Sequence, residues 1–402
     1  MKVLMLGWEL PPHNSGGLGV ACYQLCKELA KNEEISIDFI LPYVAEHRAD
    51  FMTISAAHPD DVIEVIPPSN AYDSFSYRKR DGTVETISIY DQQSLYESNV
   101  GRIAKKSDFD IIHAHDWLTF RAGIRAKQVS GKPLILHVHS VERDRAGGND
   151  GNPLVREIEG LSMLLADRVI AVSNHTKKTI VEDYKIPANK IDVVHNSMDI
   201  DSVEPLSGDT AYTYIHEMKQ QGYRVVVNIG RITIQKGLTN LLYAAKAVVD
   251  KNPKTIFLLV GSGDQERELL ELAAQLGISK NVILTGFQRG KRWRDAYAIG
   301  DIFVMPSISE PFGLTPLEAA GYGTPSLISK QSGVSEVLQH CLKVDYWDVD
   351  EMANQITGVV QNDALRDELH ANVYKEYQRL SWADAASKLL GTYANHIDKV
   401  AA

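Results

Sequence analysis

The carboxy-terminal half of the chain alternates short apolar runs with amphipathic stretches, and few chain plans satisfy that pattern. Runs at 224–229, 255–260, 281–285, 301–305 and 325–328 read as strands buried on both faces, with helices between them. Such alternation predicts a parallel, doubly wound α/β sheet. The amino-terminal half repeats the plan through Val3–Leu6, Ile35–Leu41, Ile111–His115, Leu136–Ser140 and Arg168–Val172. At 402 residues the chain is long enough for two domains, each with its own core. Two Rossmann-like halves of similar size are expected to face a central cleft where a shared ligand binds. The pattern loosens at Glu204–Asp209, so the boundary is placed there, giving 1–205 and 206–379.

Charge and cysteine usage narrow the function classes. A net charge of −10 argues against a nucleic-acid partner, which usually needs a basic face. Cys22, Cys26 and Cys341 form no CxxC and leave one unpaired, which fits a reducing compartment. The first residues, MKVLMLGWELPP, hold too short an apolar run for a signal peptide. No stretch approaches the ~18 apolar residues of a membrane span. The expectation is a cytoplasmic protein.

Chemistry concentrates between Asp301 and Glu336. The strand ending at Met305 leads to Glu310, where an open α/β sheet places its ligands. Thr315-Pro316-Leu317-Glu318 has the form of a helix start, with a hydroxyl at the N-cap and glutamate three residues on. The amides of Phe312, Gly313 and Leu314, at the positive end of that helix, are expected to face an anion such as a diphosphate. A glycoside-hydrolase dyad of Glu310 and Glu318 is disfavoured: eight residues at ~1.5 Å each span roughly 12 Å, beyond the ~5–9.5 Å required. Glu318 has a plainer reading, in which it only closes the capping box.

Other segments supply cations, glycines and histidines. Arg231 and Lys236 share the loop after the strand at 224–229, and a guanidinium fork with an ammonium suits a diphosphate leaving group. Gly16-Gly17-Leu18-Gly19 opens a helix and lets backbone amides approach a phosphate or sugar closely, although it is not GxGxxG. His113 and His115 share one face of a strand, and His137 and His139 repeat the spacing. These HxH pairs invite a metal reading, but no further ordered ligand set accompanies them.

The string E310-PFGLTPL-E318 resembles the Glu-x7-Glu signature of retaining glycosyltransferases of family 4, which adopt the GT-B fold. Gly230-Arg231 with Lys236-Gly237, and Gly333–Glu336, resemble further motifs of that family. The resemblance implies that Glu310 contacts the donor sugar and Glu318 the ribose. Arg231 and Lys236 would neutralise the nucleotide diphosphate, and Thr285-Gly286-Phe287 would line the base pocket. It places Gly16, Gly17, Phe312, Gly313, Leu314 and Thr315 around the donor, and His139 on the donor sugar. HAHDW resembles the HDW segment of glycogen-synthase-like enzymes, which puts Asp116 on the acceptor side. It also implies that 380–402 crosses back onto the first domain as a terminal helix.

Read this way, the chain transfers a hexosyl unit, glucosyl foremost, from a UDP- or ADP-linked sugar to a carbohydrate or other hydroxyl acceptor. Family members work without a metal or other cofactor. The GGLG turn resembles that of glycogen and starch synthases, but Asn14 stands where those enzymes carry lysine, which weakens an ADP-glucose-dependent reading. A nucleotide-sugar epimerase and a non-catalytic nucleotide-sugar sensor are the rival readings. Residues 43–108 carry no legible chemistry.

Overall fold

The computed structural model describes residues 1–13, 17–43, 49–59, 61–66, 74–199, 203, 204, 206 and 208–400. The chain divides into two units. The first comprises Met1–Glu142, Asn152–Asn196 and Trp382–Ala402; the second comprises Arg143–Gly151 and Ser197–Ser381. The division therefore precedes the boundary expected at 205/206, and the short segment Arg143–Gly151 packs with the second unit although sequence position assigned it to the first.

In the first unit the strands are β1 (Lys2–Leu6), β2 (Ser36–Leu41), β3 (Thr53–Ala56), β4 (Val62–Ile66), β5 (Phe75–Lys79) and β6 (Val84–Ile87). They continue with β7 (Ile111–His115), β8 (Leu134–Val138), β9 (Arg168–Ala171) and β10 (Ile191–Val193). Among the described residues, seven of them form a parallel sheet in the order β10-β9-β8-β7-β1-β2-β3, and β4-β5-β6 form a small antiparallel sheet. Every residue of β7 and β8 is buried, as a sheet covered on both faces requires. The final helix, Ala383–Val400, belongs to this unit, and its Tyr393 hydroxyl meets Nδ1 of His113.

The strands β4 and β6 are followed by a helix, Ile89–Ala104, which begins two residues after Ile87. Ser88 caps this helix by accepting the Asp91 N–H at 3.2 Å. Its buried face mixes Gln92, Gln93 and Asn99 with Tyr96, Val100 and Ala104, which weakens the apolar periodicity.

Among the described residues, the second unit is built on a six-stranded parallel sheet, order β13-β12-β11-β14-β15-β16. Its strands are β11 (Arg224–Ile229), β12 (Thr255–Val260), β13 (Val282–Leu284), β14 (Ile302–Met305), β15 (Ser326–Ser329) and β16 (Leu342–Val344). One core joins Val226, Phe257, Ile302 and Val304 of the sheet to Leu241 and Leu242 of the helix Leu238–Lys251. Met352 and Ile356 of the helix Val349–Gln361 close it.

The strand order reverses between β11 and β14, so the crossovers leave those two neighbours in opposite directions. The loops beyond their carboxyl ends are thereby parted, and that is where open α/β sheets bind ligands. In the first unit the corresponding reversal lies between β1 and β7.

Glycine sets how closely the loops of the second unit knit together. The Gly261 N–H donates to Gly286 O at 3.0 Å, and Ile232 N–H donates to Ser262 O at 2.9 Å. A methyl group on Gly261, whose φ is +146°, would strike the carbonyl oxygen of Gly230. Gly261→Ala should therefore lower the thermal midpoint, since overpacking costs ~1–3 kcal/mol. Gly391→Ala, in the last helix with nothing within 4 Å of the added methyl, should instead gain ~0.5–1 kcal/mol. Scanning calorimetry of both variants decides the matter; a Gly261→Ala midpoint equal to wild type would contradict this packing.

Candidate active site

In the second unit, the loops after β11 and β14 bring Lys236 and Glu310 together. Lys236 closes a short 3-10 turn, Ile234–Lys236, and its ammonium donates to Oε2 of Glu310. Ser307 Oγ donates to the same oxygen at 3.1 Å. The Glu310 backbone is clamped as well, its N–H donating to Gln331 O and its carbonyl accepting from Gly333 N–H, both at 2.9 Å. Gln235, buried and unanticipated from sequence, donates through Nε2 to Ser309 O at 3.0 Å and accepts the Ile308 N–H at 2.9 Å. Gly237 lies against Pro306 O, where any side chain would collide. Arg231, on the same loop as Lys236, is exposed.

Asp144, fully buried, accepts a hydrogen bond from Ser309 Oγ at 2.5 Å. It comes from the segment that sequence position assigned elsewhere, so nothing local in the chain marks it as a partner of the Glu310 loop.

The helix Thr315–Gly321 follows, and its start differs from the expected capping box. Leu314 occupies the N-cap and no side chain caps the helix. The Thr315 hydroxyl is directed at Met305 Sδ, 3.7 Å away. Glu318 cannot reach back, because its Oε2 accepts the Tyr297 hydroxyl at 2.5 Å. Phe312 is buried, with its carbonyl accepting the Val334 N–H at 2.7 Å, and Gly313 turns the chain at φ +98°. Burial raises the Glu318 carboxyl to about 7, against the Tyr297 hydrogen bond, which lowers it.

The first unit holds the remaining expected residues. Gly17 begins the helix Gly17–Leu29 and is exposed, whereas Gly16 lies outside the described residues. Glu9, unanticipated and buried, accepts the Gly19 N–H at 3.2 Å. Asp116, the residue expected on the acceptor side, accepts at Oδ1 the N–H groups of His139 at 2.6 Å and Ser140 at 3.2 Å. Its φ of +58° with ψ of 168° is rare outside glycine, a strain of ~1–3 kcal/mol that these hydrogen bonds help to offset.

His113 and His115 of β7, His137 of β8 and His139 just beyond it form a stack. Ring centroids lie 4.4 Å apart for His113/His115 and for His137/His139, with interplanar angles of 20° and 17°. His115 Nδ1 and His139 Nε2 are 2.9 Å apart, and His113 Nε2 and His137 Nδ1 are 3.2 Å apart. Burial pushes all four below the usual histidine range, to about 3 for His113 and His139. Donor atoms of Cys22, His115 and His139, and of His113, His115 and His137, do fall within 4.8 Å of one another. Hydrogen bonding already links the rings in pairs.

Two observations of Glu318 follow from this geometry. Carbon NMR of ¹³C-labelled glutamate should show its carboxyl titrating near 7, and Tyr297→Phe, by removing a bond that favours the charged form, should move it higher. Titration near the ordinary value of 4.5 in the wild type would contradict the described environment.

With both units described, known proteins can be set beside them. A family model described as Glycosyltransferase Family 4 matches residues 15–202, and one described as Glycosyl transferases group 1 matches residues 216–376. An uncharacterized glycosyltransferase of Methanocaldococcus jannaschii is 27% identical over 414 residues, covering 98% of each chain. Sucrose-phosphate synthase from Thermosynechococcus elongatus shares the fold with a TM-score of 0.75 at 19% identity, over 98% of both chains. Anabaena HepE, solved in complex with UDP-glucose, gives 0.70 at 19% identity over 98% of this chain and 100% of its own. The structural likenesses establish the fold and the two consecutive family models the kinship: the chain belongs to glycosyltransferase family 4 and has the GT-B fold.

Proposed function

We propose that this glycosyltransferase moves a hexosyl unit, with glucosyl the first choice, from a nucleoside diphosphate sugar to a hydroxyl acceptor with retention of configuration. The observation that carries the reading is the Lys236–Glu310 pair, fixed beyond the carboxyl ends of β11 and β14, where a doubly wound sheet takes its ligand. A carboxylate in that place suits sugar hydroxyls, and an ammonium beside it suits the adjoining phosphate. Arg231 on the same loop adds a second cation.

As the glycosidic bond breaks, negative charge builds on the leaving diphosphate. Lys236 and Arg231 supply fixed positive charge at that moment, the kind of preorganised stabilisation that lowers a barrier most. On this reading the two cations take the place of a divalent metal, and a chelator leaves turnover intact. Glu310 orients the sugar and Glu318 accepts the ribose hydroxyls. His139 is read as a further ligand of the sugar. The acceptor oxygen bonds to the anomeric carbon on the face the diphosphate leaves, and its proton passes to a departing phosphate oxygen. No protein nucleophile is assigned.

UDP-glucose is the first donor to try, because it is the ligand named for the HepE structure. A thermal-shift panel of UDP-, ADP- and GDP-sugars would identify the base, since a ligand at 100 times its Kd adds ~2.7 kcal/mol. Nucleotide release that depends on added acceptor supports transfer. Interconversion of the donor sugar without any acceptor would favour the epimerase reading, and binding without turnover a sensor.

Lys236 offers the sharpest check on the donor assignment. Lys236→Ala should weaken binding of a nucleoside diphosphate more than that of the monophosphate, because the ammonium is assigned to the phosphate next to the sugar. Calorimetry giving equal losses for both ligands would remove Lys236 from that position.

A further inference from the structure

The histidine stack carries a proton assignment that reaches the expected sugar ligand. Met5 on β1, His115 on β7 and His139 just beyond β8 come from adjacent strands of the first sheet. His115 Nε2 lies 3.0 Å from Met5 Sδ. A thioether sulfur has lone pairs and no hydrogen to give, so a bond there requires His115 to carry its proton on Nε2. A neutral imidazole has only one N–H, and burial keeps both His115 and His139 neutral at physiological pH. His115 Nδ1 is therefore an acceptor, and it stands 2.9 Å from His139 Nε2. That contact is a hydrogen bond only if His139 holds its proton on Nε2.

We propose that His115 is a positioning residue: it fixes His139 as the Nε2–H tautomer, so that His139 presents Nδ1 to the donor sugar as a hydrogen-bond acceptor. The proposal rests on the reading of His139 as a sugar ligand and deepens it by naming the polarity of the contact. The sugar hydroxyl must donate. Three further restraints hold the ring in this setting. His137 stacks on it at 4.4 Å, Asp116 binds its backbone N–H at 2.6 Å, and a ring flip would forfeit the bond to His115.

The test uses the full-length enzyme with ¹⁵N-labelled histidine, and UDP-glucose as the donor. Nitrogen NMR should show Nε2 of His139 protonated and Nδ1 bare in the wild type. His115→Leu removes the acceptor and should release that preference, lowering kcat by up to ~10²-fold, with a smaller change in donor KM. His115→Gln, whose amide oxygen can accept from Nε2–H, should recover both the tautomer and most of the turnover, which mere packing loss would not do. A proton on Nδ1 of His139 in the wild type overturns the proposal, as does a His115→Leu enzyme that keeps both tautomer and turnover. Should His115→Leu fail to fold, the wild-type spectrum and His115→Gln decide. A His139→Ala enzyme with normal turnover overturns the donor-sugar reading itself, and this proposal with it. A reversed tautomer overturns the proposal alone.

Discussion

Glu310 is held at both its backbone and its side chain, and the site in the second unit depends on that. Its N–H and carbonyl pair with Gln331 and Gly333, while its carboxylate takes Lys236 and Ser307. With side-chain exposures of 11% for Glu310 and 19% for Lys236, both charges are largely withdrawn from water. Such withdrawal costs several kcal/mol per ion, and a pair of apolar residues would often stabilise the fold as well. Stability alone therefore does not explain an ion pair at this place. The proposed donor, which needs a carboxylate and a cation side by side, would explain it.

The first unit reaches rigidity by another route. The ends of β7 and β8 use neutral imidazoles, each with one donor and one acceptor, linked across neighbouring strands. Burial suppresses their charge, so direction comes from which nitrogen holds the proton rather than from attraction between ions. Asp116 contributes two backbone hydrogen bonds here, accepted from the N–H groups of His139 and Ser140. The strained φ it adopts is the local cost of turning the chain after β7 so that its carboxylate reaches the turn after β8.

Much of this was legible in the sequence where the signal is local. The strands of the second unit show as continuous apolar runs, and Lys236 and Glu310 stand directly after two of them. Four histidines at two-residue spacing on two strands announced a shared face, and the rings do stack. Long-range partners gave no such signal. Tyr297 holds Glu318 across the fold, which defeats the capping box that Thr315–Glu318 spells locally. Asp144 meets Ser309 over a separation of 165 residues. The Asp116 carboxyl also reaches a backbone N–H 23 residues on, from a φ of +58°, and no residue pattern encodes that turn. The helix Ile89–Ala104 has a weak local signal, because Gln92, Gln93 and Asn99 share its buried face with Tyr96, Val100 and Ala104.

The central claim is that Glu310 and Lys236 act as one unit on the reacting donor. A double-mutant cycle of Glu310→Gln and Lys236→Met tests it most directly, with kcat measured at saturating UDP-glucose and folding checked separately. Glu310→Gln alone should lower turnover by ~10²–10³-fold. Adding Lys236→Met to it should then cost less than the same change in the wild type, because the two groups serve one transition state. Near-normal turnover of Glu310→Gln, or effects that simply add, would contradict the account.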